Sequence, residues 1–321
     1  MELSKYKSHL ANLVVSKREK FKQWYRDHID ESKSHKIYEN TPPNLDEVQK
    51  TIVNELENKG ISIININDLF PDGKWWGELK AHSEKFVYSP EVQEYIGLFK
   101  NKQEAKGFAT DHYAKKYLYR KYNVDRKNEL ISFYDPFLKF GIEEKMLDIV
   151  SAYLGRYPKL RMIDLWYNIA VGDEAPTHSQ NWHRDGEDTE LVKVFLYFNN
   201  IDLNAGPFTY VPDSHLKGKY GDLWPGETVL KHIYGGVYPD VKELEEKFKQ
   251  DDRKVCTGSA GTLIFCDTYG LHRGGHCKTT DRILGNWVYT TPSSFCENVT
   301  PYERPEDISS LKEKQKFALS F

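Results

Sequence analysis

Residues 191–198 read Leu191-Val192-Lys193-Val194-Phe195-Leu196-Tyr197-Phe198, a β-branched and aromatic run of strand length broken by one charge. Alternation with a period of two puts Lys193, Phe195 and Tyr197 on one face. If that face lines a core, Lys193 is a buried cation that needs a partner; an outward lysine on a solvated face fits the pattern equally well. Further β-rich segments lie on either side: Arg161–Val171, Gly206–Val211, Gly261–Cys266 and Ile283–Tyr289. Short strands divided by turns at these spacings predict a closed or double-layered antiparallel fold such as a jelly roll.

Upstream the texture is helical. Asn44 is the expected N-cap of a helix running to about Lys59, Gly60 ends it, and Ile61-Ser62-Ile63-Ile64 follows as a strand. Residues 75–155 read as mostly helical, the last helix spanning about Glu143 to Leu154 and closing on Gly155. Leu10, Leu13, Val14, Phe21 and Trp24 recur at helical spacing within 2–30, and Glu31 to Pro43 reads as a linker. A Gly-, Pro- and Lys-rich insertion runs from Leu216 to Arg253 and holds one charged helix, Val241–Gln250; its length suits an active-site lid. The expected fold class is α+β with a mainly β catalytic core and a helical amino-terminal region packed around it. The expected organisation is an amino-terminal helix and linker (1–40) and a single catalytic domain (44–321). Within that domain, 44–158 would be helical support and 160–292 the β core, with 216–253 inserted.

The 321 residues carry 45 Lys plus Arg against 48 Asp plus Glu, a net charge of -3, which gives no reason to expect nucleic acid or an anionic membrane as a partner. Aromatic content of 14%, with 21 Tyr, suits a sheet-rich core and an aromatic-lined pocket for a small molecule. Cys256, Cys266, Cys277 and Cys296 match neither a zinc knuckle nor a CxxC pair. The segment MELSKYKSHL lacks the apolar core of a signal peptide, and no run approaches the ~20 apolar residues that span a bilayer, so a cytoplasmic location is expected.

The chemistry is carried by Gln180-Asn181-Trp182-His183-Arg184-Asp185. On extended backbone His183 and Asp185 point to the same side and can occupy adjacent positions on one metal ion. A second, distant histidine would complete the two-His, one-carboxylate triad of non-haem Fe(II) oxygenases, which leaves positions open for a bidentate co-substrate and O2. By itself the HxD spacing is common and usually means a surface or hydrogen-bonded histidine. Downstream, the strand Gly261–Cys266 leads to Asp267-Thr268-Tyr269-Gly270-Leu271-His272-Arg273-Gly274-Gly275, and Arg282 follows His272 by ten residues. At a pocket mouth Arg282 would offer a permanently charged fork for a carboxylate; a surface salt bridge with Asp281 is the plainer alternative.

As an ordered set these residues resemble the phytanoyl-CoA dioxygenase-like 2-oxoglutarate oxygenases. The set is Trp182-His183-x-Asp185, the strand Lys193–Phe198, Asn204-Ala205-Gly206-Pro207, Val211-Pro212-Asp213-Ser214-His215, Gly261-Thr262, His272 and Arg282, covering about 160–292. Where the family has a PGSH turn, this chain has Pro212-Asp213-Ser214-His215. The resemblance implies a double-stranded β-helix of the cupin-like, jelly-roll kind. It implies Fe(II) held by His183, Asp185 and His272, and Arg282 on the C5 carboxylate of 2-oxoglutarate, with O2 as the other co-substrate and succinate and CO2 released. It also implies a hydroxylase, because related halogenases have a small residue in place of Asp185. Lys193 is a further candidate for the 2-oxoglutarate carboxylate or the substrate.

Other readings compete. His276, four residues past His272, is a rival ligand, set aside because the distance from Gly261 to His272 fits the family; His178 and His215 read as a non-ligand and a turn residue. The run Asp111 to Tyr122 mixes bases and aromatics and reads as a solvated helix rather than an anion site. Rival functions are the same triad with a different outcome, such as desaturation or epimerisation, a catalytically silent barrel that binds a ligand or protein, and a zinc hydrolase.

Overall fold

Alternation along β4 (Leu191–Tyr197) organises the molecule. Val192, Val194 and Leu196 join the main apolar core, together with Leu263 and Phe265 of β7 (Thr262–Cys266) and Trp287 and Tyr289 of β9 (Arg282–Thr290). Phe195 and Tyr197 turn the other way, into a second core with Ile264, Leu284 and, from β5 (Phe208–Tyr210), Phe208 and Tyr210. One face therefore carries helices and the other meets a second sheet. The computed structural model describes residues 22–100, 118–122, 130–173, 175–176, 178–224, 239–294, 296 and 299–321. Residues 2–21 of the first expected helix, 111–117 of the basic and aromatic run, and 225–238 of the insertion lie outside them.

Among the described residues the sheets are a six-stranded one, ordered β1-β7-β4-β9-β3-β2, and a three-stranded one, ordered β6-β5-β8. The remaining strands are β1 (Ile61–Asn65), β2 (Leu118–Arg120), β3 (Lys159–Asn168), β6 (Lys254–Cys256) and β8 (His272–Arg273). Every pairing between these strands is antiparallel. This is the double-stranded β-helix of the expected α+β class, and β1, β4, β7 and β9 lie within a residue of their apolar runs. Strand β3 starts two residues before and ends three before its expected Arg161–Val171, β2 falls in a stretch expected to be helical, and β5 of the small sheet is shorter than its expected Gly206–Val211.

The helices cover the outer face of the large sheet. Trp287 Nε1 donates to Phe137 O at 2.7 Å and Tyr289 OH to Gly141 O at 2.8 Å, fixing helix Pro136–Gly141 over β9. Helix Glu47–Lys59 starts two residues later than its sequence suggests: Asp46 is the N-cap and forms a capping box with Gln49. Gly60 ends it at φ +76°, and a Cβ there would fall 2.2 Å from Tyr210 Oη, so the position needs glycine twice over.

The stretch from Glu31 differs from its reading as a linker. Glu31–Asn40 is an α-helix that continues a π-helical turn at Arg26–Asp30. Its few apolar residues hid it, yet Ile37 packs with Tyr157 and Phe317, and Ser34 donates to Tyr157 O at 2.6 Å. The chain leaves helical geometry only at Thr41, before two prolines that lack the N–H to continue it. The insertion helix is also shorter than expected, Val241–Lys247.

Candidate active site

The HxD segment is zipped by its backbone to the chain around the distal histidine. His183 N–H donates to His272 O at 2.8 Å, His272 N–H returns to His183 O at 3.0 Å, and Asp185 N–H donates to Thr268 O at 3.0 Å. Because β8 also pairs with β5, opposite Tyr210, the two imidazoles and the carboxylate face the interior between the sheets. One ligand atom from each of His183, Asp185 and His272 lies within 4.8 Å of the others. His183 Nε2 is 3.4 Å from Asp185 Oδ1 and His272 Nε2 is 3.4 Å from Oδ2.

Whether these residues suit a metal can be judged from their hydrogen bonds. His183 Nδ1 lies 2.9 Å from Asn181 O, and His272 Nδ1 lies 2.9 Å from Gly270 O. A carbonyl only accepts, so each Nδ1 carries the proton and each Nε2 presents its lone pair to the cluster, the arrangement typical of metal-ligating histidines. Burial, reinforced by the neighbouring His183, lowers the pKa of His272 to about 3 and keeps it neutral. For Asp185, burial favours the neutral acid, but the Lys193 ammonium beside it outweighs burial and holds the carboxyl well below the usual carboxylate range. Two imidazole Nε2 atoms and one carboxylate fit a divalent metal.

Lys193 is buried, so the solvated-face reading does not hold. Its Nζ lies 2.7 Å from Asp185 Oδ2 and 2.7 Å from Glu187 Oε1. Burial opposes its charge, but the two carboxylates prevail and keep it protonated. Arg282 opens β9 opposite Asn168 and is likewise buried; its guanidinium donates to Gly206 O, and its Nε has no hydrogen-bond partner among the described residues. Asp281 does not serve it. That carboxylate accepts from Tyr167 OH at 2.5 Å and Ala170 N–H at 2.7 Å, so the surface salt bridge is not the role of Arg282.

The other histidines stand apart. His276 Nε2 lies 3.1 Å from Gly172 O, His215 Nε2 lies 3.2 Å from Glu57 O, and His178 opens the 3-10 turn His178–Gln180. Trp182, 1% exposed, packs away from the cluster with Val211, Leu244, Phe248 and Leu271, with the guanidiniums of Arg253 and Arg273 5.5 and 4.8 Å from its ring.

Two residues escaped the sequence reading. Arg184, fully buried between the two ligands, donates to the carbonyls of Ser214 at 2.5 Å, Leu223 at 2.9 Å and Tyr220 at 3.1 Å, and to that of Tyr269. It ties the HxD strand to the loops on either side. Glu187 completes the Lys193 bridge. The next residue, Asp188, accepts from Thr291 N–H at 2.9 Å and Thr291 OH at 2.7 Å, anchoring the loop to the end of β9. A Glu-Asp pair just after HxD and a lysine in the next strand were the available signal for this bridge.

A double-stranded β-helix with two imidazoles and a carboxylate converging inside is the class that the fold and site define. Residues 77–283 match the family Phytanoyl-CoA dioxygenase (PhyH). The chain belongs to this family and is a 2-oxoglutarate-dependent non-haem iron enzyme. No curated protein matches it in sequence. Among solved structures it is similar to EctD from S. alaskensis with bound Fe (15% identity, 87% of this chain and 85% of that one, TM-score 0.49). It is also similar to AviO1 from Streptomyces viridochromogenes Tue57 (15%, 78% and 97%, 0.48). A third is the non-heme alpha ketoglutarate dependent epimerase SnoN from nogalamycin biosynthesis (14%, 76% and 82%, 0.45). Among the described residues no helix is long and apolar enough to cross a membrane.

Proposed function

We propose that the protein is an Fe(II)- and 2-oxoglutarate-dependent dioxygenase that hydroxylates a small organic substrate and releases succinate and CO2. The observation that carries this reading is the pair of imidazoles locked through Nδ1 onto carbonyls, with both Nε2 atoms and the Asp185 carboxylate grouped within 4.8 Å. His183, Asp185 and His272 would hold the iron. Arg282 would grip the C5 carboxylate of 2-oxoglutarate, a use that its unpartnered, buried Nε supports. The bound iron and 2-oxoglutarate together supply O2 activation. The chain does the rest: it turns both Nε2 atoms to the cluster, keeps Asp185 ionised, and excludes bulk water from a cluster whose histidines are 4–5% exposed. Lys193, bridged to Glu187, fixes the Asp185 carboxylate and is not available as the main anchor of the co-substrate.

Hydroxylation is favoured over halogenation because Asp185 fills the position on the metal that a halide would need. We infer a cytoplasmic location, a reading supported by the free, buried Cys256, Cys266 and Cys277, which suit a reducing compartment. The test is to supply the iron-loaded protein with 2-oxoglutarate, O2 and metabolite pools, then follow succinate and look for a product one oxygen atom heavier. Succinate formation that needs neither added iron nor O2 would overturn the reading.

A further inference from the structure

The inner wall formed by β3 and β9 holds polar groups that the iron and co-substrate assignments leave unused. Along β9, Trp287 and Tyr289 face the helices, so Arg282, Leu284, Asn286 and Val288 face the interior. Asn286 stands directly opposite Phe195 on β4 and Asp164 on β3. Val288, the next inward residue, is opposite Lys193, the partner of Asp185, whereas Arg282 lies two inward positions the other way. Asn286 thus sits toward the metal end of the wall.

Asn286 is 4% exposed, and its Oδ1 has no hydrogen-bond partner; among the described residues its amide makes no hydrogen bond. Asn168, 7% exposed, also has an unpartnered Oδ1 on this wall. Beside Asn286, Asp164 is fully buried and ion-paired with Arg120, whose guanidinium lies 5.9 Å from the Trp166 ring. Buried amides are nearly always hydrogen-bonded in folded proteins. An aliphatic chain laid against this wall would leave the Asn286 and Asn168 amides without a partner, the costliest way to bury them. A substrate with its own donors and acceptors would complete them.

We propose that Asn286, flanked by the Asp164–Arg120 pair, is the substrate-recognition group of this barrel, and that the substrate is a small polar compound presenting hydroxyl or amino donors rather than an acyl chain. This inference rests on the iron and 2-oxoglutarate reading and names the substrate class for it.

The test uses the full chain, loaded without O2 with Mn(II) and 2-oxoglutarate, and follows its melting temperature with three probe sets. These are monosaccharides and polyols, free amino acids, and medium-chain fatty acids with their coenzyme A thioesters. The same probes are then scored in the iron form for stimulated succinate release. A polar set is expected to raise the melting temperature and stimulate turnover; a sugar or polyol response assigns hydroxyl donors, and an amino-acid response amino donors.

Asn286→Leu should raise the half-saturation for that probe roughly tenfold or more, the effect of leaving a buried donor unpaired. It should move the 2-oxoglutarate half-saturation several-fold less. Asn286→Asp, which keeps the acceptor oxygen, should recover part of the loss. The proposal falls if only the aliphatic set acts, if no polar probe acts, or if Asn286→Leu shifts 2-oxoglutarate as far as it shifts the polar probe. Those failures with an intact iron and 2-oxoglutarate absorption band strike this inference alone; absence of the band in the wild type removes the underlying reading as well.

Discussion

The two faces of the six-stranded sheet are built from the same strands and differ in how completely they satisfy themselves. On the helix side, Trp287 Nε1 and Tyr289 OH, both fully buried, each find a backbone carbonyl, and the rest of that side of β4 and β9 is apolar. On the inner side, Arg282 Nε, Asn286 Oδ1 and Asn168 Oδ1 lack partners among the described residues, and Lys193 is wedged between two carboxylates. Buried polar atoms left unpaired weaken a fold. A molecule that tolerates them on one face only is stabilised by the other face and uses this one for binding.

The strongest test of this contrast removes the one anionic ligand from the inner face. Asp185→Ala should abolish turnover and iron binding, because it leaves two neutral imidazoles and a buried Lys193 facing them. Full activity in this variant would remove the triad.

Next in size is Arg282→Leu. If Arg282 grips the co-substrate, two hydrogen bonds to a charged group are lost, at ~1.5–3 kcal/mol each. The 2-oxoglutarate half-saturation should then rise on the order of a hundredfold or more. Arg282→Lys should recover only part, since an ammonium cannot reproduce the planar fork. Succinate release against 2-oxoglutarate concentration, with iron content measured separately, reads both variants; an unmoved half-saturation places the anchor elsewhere.

The outer face should respond in a different currency. Trp287→Ala removes a fully buried indole stacked on Phe137 at 5.0 Å and should cost about 3–5 kcal/mol of folding stability by denaturant titration. A loss well below 1 kcal/mol would mean that this face is not the stabilising one.

The smallest expected effect lies where the faces meet. Asp267, just past the end of β7, accepts from Tyr153 OH at 2.6 Å, and burial raises its pKa to about 7. Its folded value lies above its unfolded one, so its contribution is complete below the ordinary carboxylate range and is lost as pH rises through about 7. Asp267→Asn should therefore flatten the fall in melting temperature between about pH 4 and 7. An unchanged slope would show that the carboxyl ionises as readily folded as unfolded.

What the sequence made legible follows from how local each signal is. Strands β4, β7 and β9 are β-branched and aromatic runs of five or more residues, so each can be read from its own residues. His183 and Asp185 are two residues apart and share a face by local geometry alone. Lys193 was visible as an anomaly, but its partners depend on where a loop folds back, which no periodicity encodes. Arg184 was invisible for the same reason, since its acceptors are backbone carbonyls up to 85 residues away. Helix Glu31–Asn40 was missed because its buried side is just Ser34 and Ile37, too little to give a pattern.

The central claim, that His183, Asp185 and His272 hold iron to which 2-oxoglutarate is bound, is tested most directly by anaerobic titration of the protein. Fe(II) and 2-oxoglutarate together should produce a weak visible charge-transfer band that saturates at one iron per chain and is absent from Asp185→Ala. No band in the wild type, or a band of equal intensity in Asp185→Ala, would contradict it.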